Sequence, residues 1–519
     1  MQKGFFTEHK YIVLLSVLSS IFISAWCVYL DPVINNDGIQ YIKAAQHIVD
    51  GQFSNLLTTY KWPFYPFLIA QVQQFIPVNI EFAAHIVNAG LAVLLVIAFL
   101  GLVYELGGNK KTIIAAAVII LLYPSVNELR SEVIRDIGYV AFYLYAIAFL
   151  LRYFKTNQKK HLYGWLACMT LSILFRIEGA TLLFAWPIVK LLLMEKSQKR
   201  NVLLCLFSLA GLLVLVLLFL LWSSNNLYQP EANLSDGIFV YLSEAANQII
   251  VEIDNRISSL QRNFLGKFSA KYAFIVYIFT LLLVLCAEII ATITIFHFIL
   301  SIVSIKSNLA LQISTERLTI SFLIGINLVT LLFFTSVRLF LTDRYTLSLS
   351  IVLLALSPFA IIYFLNLEYK TQTRKHWAYI VIFLFLIGLG VDGLSDTTNK
   401  RFVKQAGLWL KTQSPPNEKL LTNSRILAYY SNHNTEGHWK EFHWSGVWEK
   451  IYKKKWREYD YLAIRIRTDD LVAQEGVRDR IKLKPYKIFT NPHGESLLIY
   501  KLKGNKYRGK KRRGGKTSN

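Results

Sequence analysis

Apolar residues in this chain gather into long, nearly unbroken runs. They occupy residues 11–30, 83–106, 111–124, 136–154, 161–175, 179–194, 201–222, 273–305, 317–341, 345–366 and 376–394. About 20 apolar residues wound as a helix cross the ~30 Å hydrocarbon layer of a bilayer. Inside that layer a helix satisfies its own backbone, which an extended segment cannot do. The pattern therefore predicts an all-α polytopic membrane domain over residues 1–394, with about eleven transmembrane helices. Arg176 and Glu178 interrupt one apolar stretch, so the runs on either side of them are read as two helices turning at the surface.

Between the runs, two long connections carry a different pattern. In 31–82, Ile39, Ile42, Ala45 and Val49 recur at helical spacing while Gln40, Lys43 and Gln46 take the other face, as in a helix lying on the membrane surface. In 223–272, Ile238, Leu242, Ala245, Ile249, Ile253, Ile257, Leu260 and Phe264 form a second amphipathic stretch, able to roof a cavity. Beyond residue 394 the pattern changes again. Phe402, Ala406, Trp409 and Leu410 predict a helix, Tyr459–Arg467 and Glu495–Lys503 predict strands, and Asn491-Pro-His-Gly494 predicts a turn. Residues 395–503 are thus expected to form a soluble α/β domain, and the Gly/Lys/Arg-rich 504–519 a disordered tail.

A formal charge of +23 raises the question of nucleic acid, but eight of the basic residues lie between Lys503 and Asn519 with no acid among them. The others mostly flank membrane spans, so anionic headgroups, not nucleic acid, are the expected partners. The basic residues of the short connections also set orientation. Lys110 and Lys111, Lys155 to Lys160, Lys196 to Arg200, Lys306 with Arg317, and Lys370 to Lys375 fall on one side together with Lys3 and Lys10. That side is assigned to the cytoplasm, which places 31–82, 125–135, 223–272, 342–344 and everything after 394 outside a cell inner (plasma) membrane. The first run follows two lysines and precedes no small-residue cleavage site, so it reads as a retained span. Cys27, Cys168, Cys205 and Cys286 all sit inside apolar runs and imply no disulfide or zinc framework.

Charges near the expected outer surface carry the candidate chemistry, because a cluster of them implies a polar cavity. Asp37 follows the first span; Glu128, Arg130, Glu132, Arg135 and Asp136 fill the next outer connection; Arg176 with Glu178 and Asp343-Arg344-Tyr345 form two further turns. In order and sidedness these residues resemble the GT-C superfamily of membrane glycosyltransferases, with the bacterial relatives of protein O-mannosyltransferases and the lipid A aminoarabinose transferases as the nearest in appearance. The resemblance is carried by Asp37 to Tyr41, Trp62-Pro-Phe-Tyr-Pro66, Arg130-Ser-Glu-Val-Ile-Arg-Asp136, Arg176-Ile-Glu-Gly179 and Arg344-Tyr345. It extends into the C-terminal domain, where Lys419–Asn423 and Ala428–Tyr430 look like strand segments. Asn35 and Asn36 stand where many members carry a second acid, and no cofactor or metal-ligand set is read from the sequence.

The resemblance implies an inverting hexosyl- or pentosyltransferase that moves a sugar from a polyprenyl-phosphate carrier to a hydroxyl of an envelope glycolipid, polysaccharide or protein. Asp37 would be the base. Arg176 and Arg344, with Tyr345, Lys61, Arg130, Arg135 and Arg338 behind them, would face the phosphate. Asp136, Glu132 and Glu178 are further acids of the site. Plainer readings stand beside these: Asp37 as a helix cap, Asp136 in a surface ion pair, and the arginines of the turns as interfacial anchors. A transporter or flippase of lipid-linked glycans is the rival function, although neither internal repeats nor mid-span charges are visible; a silent scaffold for envelope assembly is the third.

Overall fold

The computed structural model describes residues 5–193, 238–338, 340–367, 372–395, 400–415, 417–433, 442–467, 476–477 and 479–502. The run at 201–222 and the tail after 502 lie outside the described residues. The chain divides into two compact units. One comprises Met1–Cys27, Ala44–Arg130 and Ile134–Leu394; the other comprises Val28–Lys43, Ser131–Val133 and Ser395–Asn519. The C-terminal domain thus forms one body with the segment that follows the first span.

The larger unit is helical. Its helices are α1 (Lys10–Leu30), α2 (Asn36–Val49, shared with the smaller unit), α3 (Phe53–Thr59), α4 (Phe64–Phe75), α5 (Ile80–Glu105), α6 (Lys110–Leu122), α7 (Pro124–Ser131), α8 (Asp136–Thr156) and α9 (Lys159–Phe175). A 3-10 turn over Ile177–Phe184 leads to α10 (Ala185–Leu193). After the undescribed stretch come α11 (Ile238–Asn263), α12 (Ala273–Ile293), α13 (Ile295–Lys306), α14 (Ser314–Arg338), α15 (Asp343–Leu354), α16 (Ser357–Asn366) and α17 (Gln372–Leu394). Among the described residues, seven helical stretches are long and apolar enough to cross a membrane, and an eighth if α6 and α7 count as one span bent by 48°. Some of the expected runs are broken or short. The run 273–305 breaks at Thr294, whose φ is +67°, and 179–194 begins as the 3-10 turn rather than as an α-helix.

The break at Thr294 frees the Thr292 carbonyl from its helical partner, and two hydroxyls take it: Tyr123 at 2.6 Å and Ser125 at 3.0 Å. Such replacement is required where water is absent. The stretch Asp343–Asn366 is the most enclosed, with 78% of its apolar window buried, whereas His376–Leu394 has 11% buried and offers its surface to lipid. Polar ties connect the inner helices. Asn327 donates to Tyr143 Oη (2.6 Å) and accepts from Ser348 Oγ (3.1 Å), joining α14 to α8 and α15. At the other end of α8, Lys155 pairs with Glu316 at 2.8 Å and Arg152 with Glu105 at 3.6 Å.

In the smaller unit, α18 (Arg401–Gln413), α19 (Arg425–Tyr430) and α20 (Trp444–Tyr452) accompany β1 (Leu420–Thr422), β2 (Tyr461–Ile466), β3 (Lys487–Thr490) and β4 (Ser496–Lys501). The sheet order is β1-β2-β4-β3, with β1–β2 parallel and the other pairs antiparallel. Val447 and Ile451 of α20 pack with Trp456, Leu462, Ile464 and Tyr500 as its core. The strand expectations at 459–467 and 495–503 are met by β2 and β4, and that at 419–423 by β1. Ala428–Tyr430 corrects the expectation: it is helical, because Ser424 caps α19 by accepting from the Leu427 amide at 3.3 Å.

Candidate active site

In the larger unit the turn after α9 carries the densest charge. Arg176 Nη1 bonds the buried Asp136, the first residue of α8, and Nη2 bonds Glu178 Oε1 at 2.6 Å. The guanidinium lies 4.9 Å from the Tyr345 ring and 5.8 Å from that of Tyr139, while Tyr345 stacks on Phe334 at 4.3 Å. Burial alone would lift the Glu178 carboxyl, but the charge and hydrogen bond of Arg176 hold it below the usual carboxylate range, with Arg135 adding to the effect. Arg176 is thus already neutralised by two acids, a state the sequence reading did not anticipate. Arg344 and Tyr345 join Tyr139, Arg176, Glu178, Asn327 and Ser348 around a small cavity of about 40 Å³.

The other face of the same turn is apolar. Leu174, Ile177, Ala180 and Leu183 alternate with the charged pair to line a groove of about 890 Å³, together with Phe64 and Phe67 of α4, Leu56 and Leu57 of α3, and Leu166, Met169 and Ile173 of α9. Lys61 and Trp62 also line it, and Trp62 Nε1 is fixed on the Leu174 carbonyl at 2.5 Å. Gly138 permits the α8–α9 contact on which the turn depends: a Cβ there would lie 2.5 Å from the Phe175 ring.

The remaining candidates are dispersed. Arg130 is 1% exposed, and its bonds go to Asn127 Oδ1 (2.8 Å), Ser20 Oγ (3.0 Å) and Ser24 Oγ (2.8 Å), which clamps α7 to α1. Arg135 lies 5.7 Å from the Tyr60 ring. Arg338 ends α14 with an exposed side chain.

Asp37 belongs to the smaller unit, as does Glu132. It is the second residue of α2, where a carboxylate in the first turn suits the helix dipole. Its half-buried carboxylate acts electrostatically on Arg425, whose guanidinium is lowered by burial and partly restored by Asp37. Gly38 lets the chain pass close, since a Cβ would lie 2.4 Å from Asn35 Oδ1 and 2.9 Å from Val133 Cβ. Sequence reading missed Arg425, Tyr139, Asn327 and Ser348. The last three are polar positions inside apolar helices, which is the one signal that could have marked them. Among the described residues no group of three or more His, Cys, Asp or Glu could hold a metal ion.

No family model matches the chain, and no curated protein matches it. Among solved structures it is similar to ArnT from Cupriavidus metallidurans in the apo state, at 12% identity over 95% of this chain and 98% of that one, with a TM-score of 0.48. ArnT from the same organism bound to undecaprenyl phosphate is matched at 11% identity over 96% and 98%, TM-score 0.48. The apo oligosaccharyltransferase of Archaeoglobus fulgidus is matched at 12% identity over 86% of this chain and 64% of that one, TM-score 0.49.

Proposed function

We propose that this chain is an inverting glycosyltransferase that moves a sugar from a polyprenyl-phosphate carrier to an acceptor hydroxyl of an envelope glycolipid, polysaccharide or protein. The observation that carries the reading is the two-faced turn at Arg176–Glu178. One face opens on an apolar groove of about 890 Å³, the other on a small charged cavity with Arg344. A long hydrocarbon chain ending in an anion is the ligand class that uses both, with Lys61 at the groove as a second cation.

In this reading the Asp37 carboxylate takes the proton of the acceptor hydroxyl as its oxygen attacks the anomeric carbon. The bond from that carbon to the carrier phosphate breaks on the opposite face, which inverts the centre, and polyprenyl phosphate leaves with the electron pair. Arg344 stabilises the leaving phosphate. Arg176, spent on Asp136 and Glu178, orders the cavity and sets Tyr345. The active site faces outward from a plasma membrane, with the amino terminus in the cytoplasm.

The test uses purified full-length protein in vesicles supplied with a polyprenyl-phosphate sugar and an extract of envelope acceptors. Asp37→Asn is expected to lower transfer by about 10²–10⁴-fold while insertion and folding persist. Transfer at the wild-type rate would remove Asp37 from the mechanism. Movement of the lipid-linked sugar across the bilayer with no new glycosidic bond would replace the reading by that of a flippase.

A further inference from the structure

The segment that leads to Asp37 has no regular secondary structure between Asp31 and Asn35. Such a stretch stays ordered only if its backbone groups find partners. Two of them, together with the last two carbonyls of α1, find side chains of the C-terminal domain. Arg401 donates to the carbonyls of Tyr29 (2.5 Å) and Leu30 (3.1 Å), and Lys404 donates to that of Pro32 (2.7 Å). The buried Ile34 amide donates to the Tyr430 hydroxyl at 3.0 Å. One residue further, Asn35 Oδ1 accepts from the Val133 amide at 3.1 Å, and α2 begins immediately afterwards with Asp37 in its first turn.

Tyr430 is itself well placed to hold this backbone. It ends α19, and α18 approaches so closely that a Cβ on Gly407 would lie 2.7 Å from Tyr430 Cβ. Lys404 lies 4.7 Å from its ring. The same short helix starts with Arg425, within electrostatic reach of Asp37. One six-residue helix therefore carries at one end a charge that acts on the Asp37 carboxylate and at the other a hydroxyl that fixes the backbone three residues before it.

We infer that the C-terminal α/β domain is a positioning device for Asp37, with Tyr430 as the positioning residue that acts through the Ile34 amide and Lys404 as its second contact. The inference rests on the proposed role of Asp37 as the base. A base must sit within hydrogen-bond reach of the proton it removes, and a displacement of about 1 Å costs as much as 10²-fold in rate. The domain then contributes to turnover without touching the reacting atoms.

The experiment compares full-length wild type, Tyr430→Phe and Lys404→Met in the same vesicles. Two readouts are taken: steady-state transfer, and hydrogen–deuterium exchange of the peptide containing residues 31–37. Tyr430→Phe keeps the ring beside Lys404 and removes only the hydroxyl. It is expected to raise exchange at Ile34 about tenfold or more and to lower kcat by roughly 10- to 100-fold with KM for the donor unchanged. Lys404→Met should move both readouts the same way by less, and it decides the matter if Tyr430→Phe does not fold. Unchanged exchange overturns the inference. So does faster exchange with wild-type kcat, or a change confined to KM. Because exchange is read without turnover, a wild-type protein that transfers no sugar would retire the glycosyltransferase reading and leave the contact itself still measured.

Discussion

Removal of the Arg176 side chain is the perturbation whose cost the structure defines most directly. Arg176→Met keeps a long apolar stem but takes away the guanidinium that serves the buried Asp136 and the half-buried Glu178 together. Breaking a buried ion pair from one side costs about 3–5 kcal/mol, chiefly because the partner is left charged and dry. At 1.4 kcal/mol per tenfold, that raises the unfolded fraction by about two to three and a half orders of magnitude. Neutralising the acids reverses the argument. Asp136→Asn/Glu178→Gln on the Arg176→Met background leaves no orphan charge and should recover most of the loss, so the effects are strongly non-additive. Because membrane proteins often unfold irreversibly, the useful assay is survival of monodisperse protein in detergent after heating, read as an inactivation rate. A single variant as durable as wild type would refute the reasoning, as would a triple variant no better than the single one.

Filling the apolar groove with Ile173→Trp should raise KM for a long polyprenyl carrier by about tenfold or more and leave a short prenyl analogue nearly unaffected, since each buried CH2 is worth ~0.8 kcal/mol; equal effects on both donors would mean that the groove does not hold the chain. Gly138→Ala drives a methyl into Phe175, which is confined by Phe142 at 5.8 Å and Phe64 at 5.0 Å, so a loss of about 1–3 kcal/mol is expected in the same heating assay. His433, buried between Ser431 and Ser414, is lowered from 6.5 by burial, which the Ser431 carbonyl and Glu418 offset only in part. Its stabilisation is therefore complete above pH 6.5 and lost as pH falls toward the folded value; His433→Gln should flatten that decline in hydrogen exchange of the C-terminal sheet.

The long helices could be read from the sequence because hydrophobicity summed over twenty residues outweighs any local preference. Asp37 and the Arg176–Glu178 turn were legible for the complementary reason, that charge beside such runs is conspicuous. Local breaks were not. Nothing in Thr292-Ile-Thr-Ile295 announces a left-handed Thr294, whose conformation depends on Tyr123 and Ser125 nearly 170 positions away. At Ala428-Tyr-Tyr430 the residues favour a strand, and a single capping serine decides otherwise. The partnership of residues 28–43 with the C-terminal domain was illegible altogether, since it lies in side chains of Arg401, Lys404 and Tyr430 reaching backbone atoms some 370–400 positions earlier.

Among the described residues the sheet ends on β3, whose Lys487, Ile488 and Thr490 are open to solvent. Molecules held in one bilayer collide again and again in the same orientation, a setting in which a bare row of amides and carbonyls invites rib-to-rib stacking of copies. The ammonium of Lys487, with Lys482 and Lys484 just before it, makes such stacking self-repelling. Crowding in the membrane should therefore leave this protein dispersed, and trading those three lysines for threonine should let it cluster.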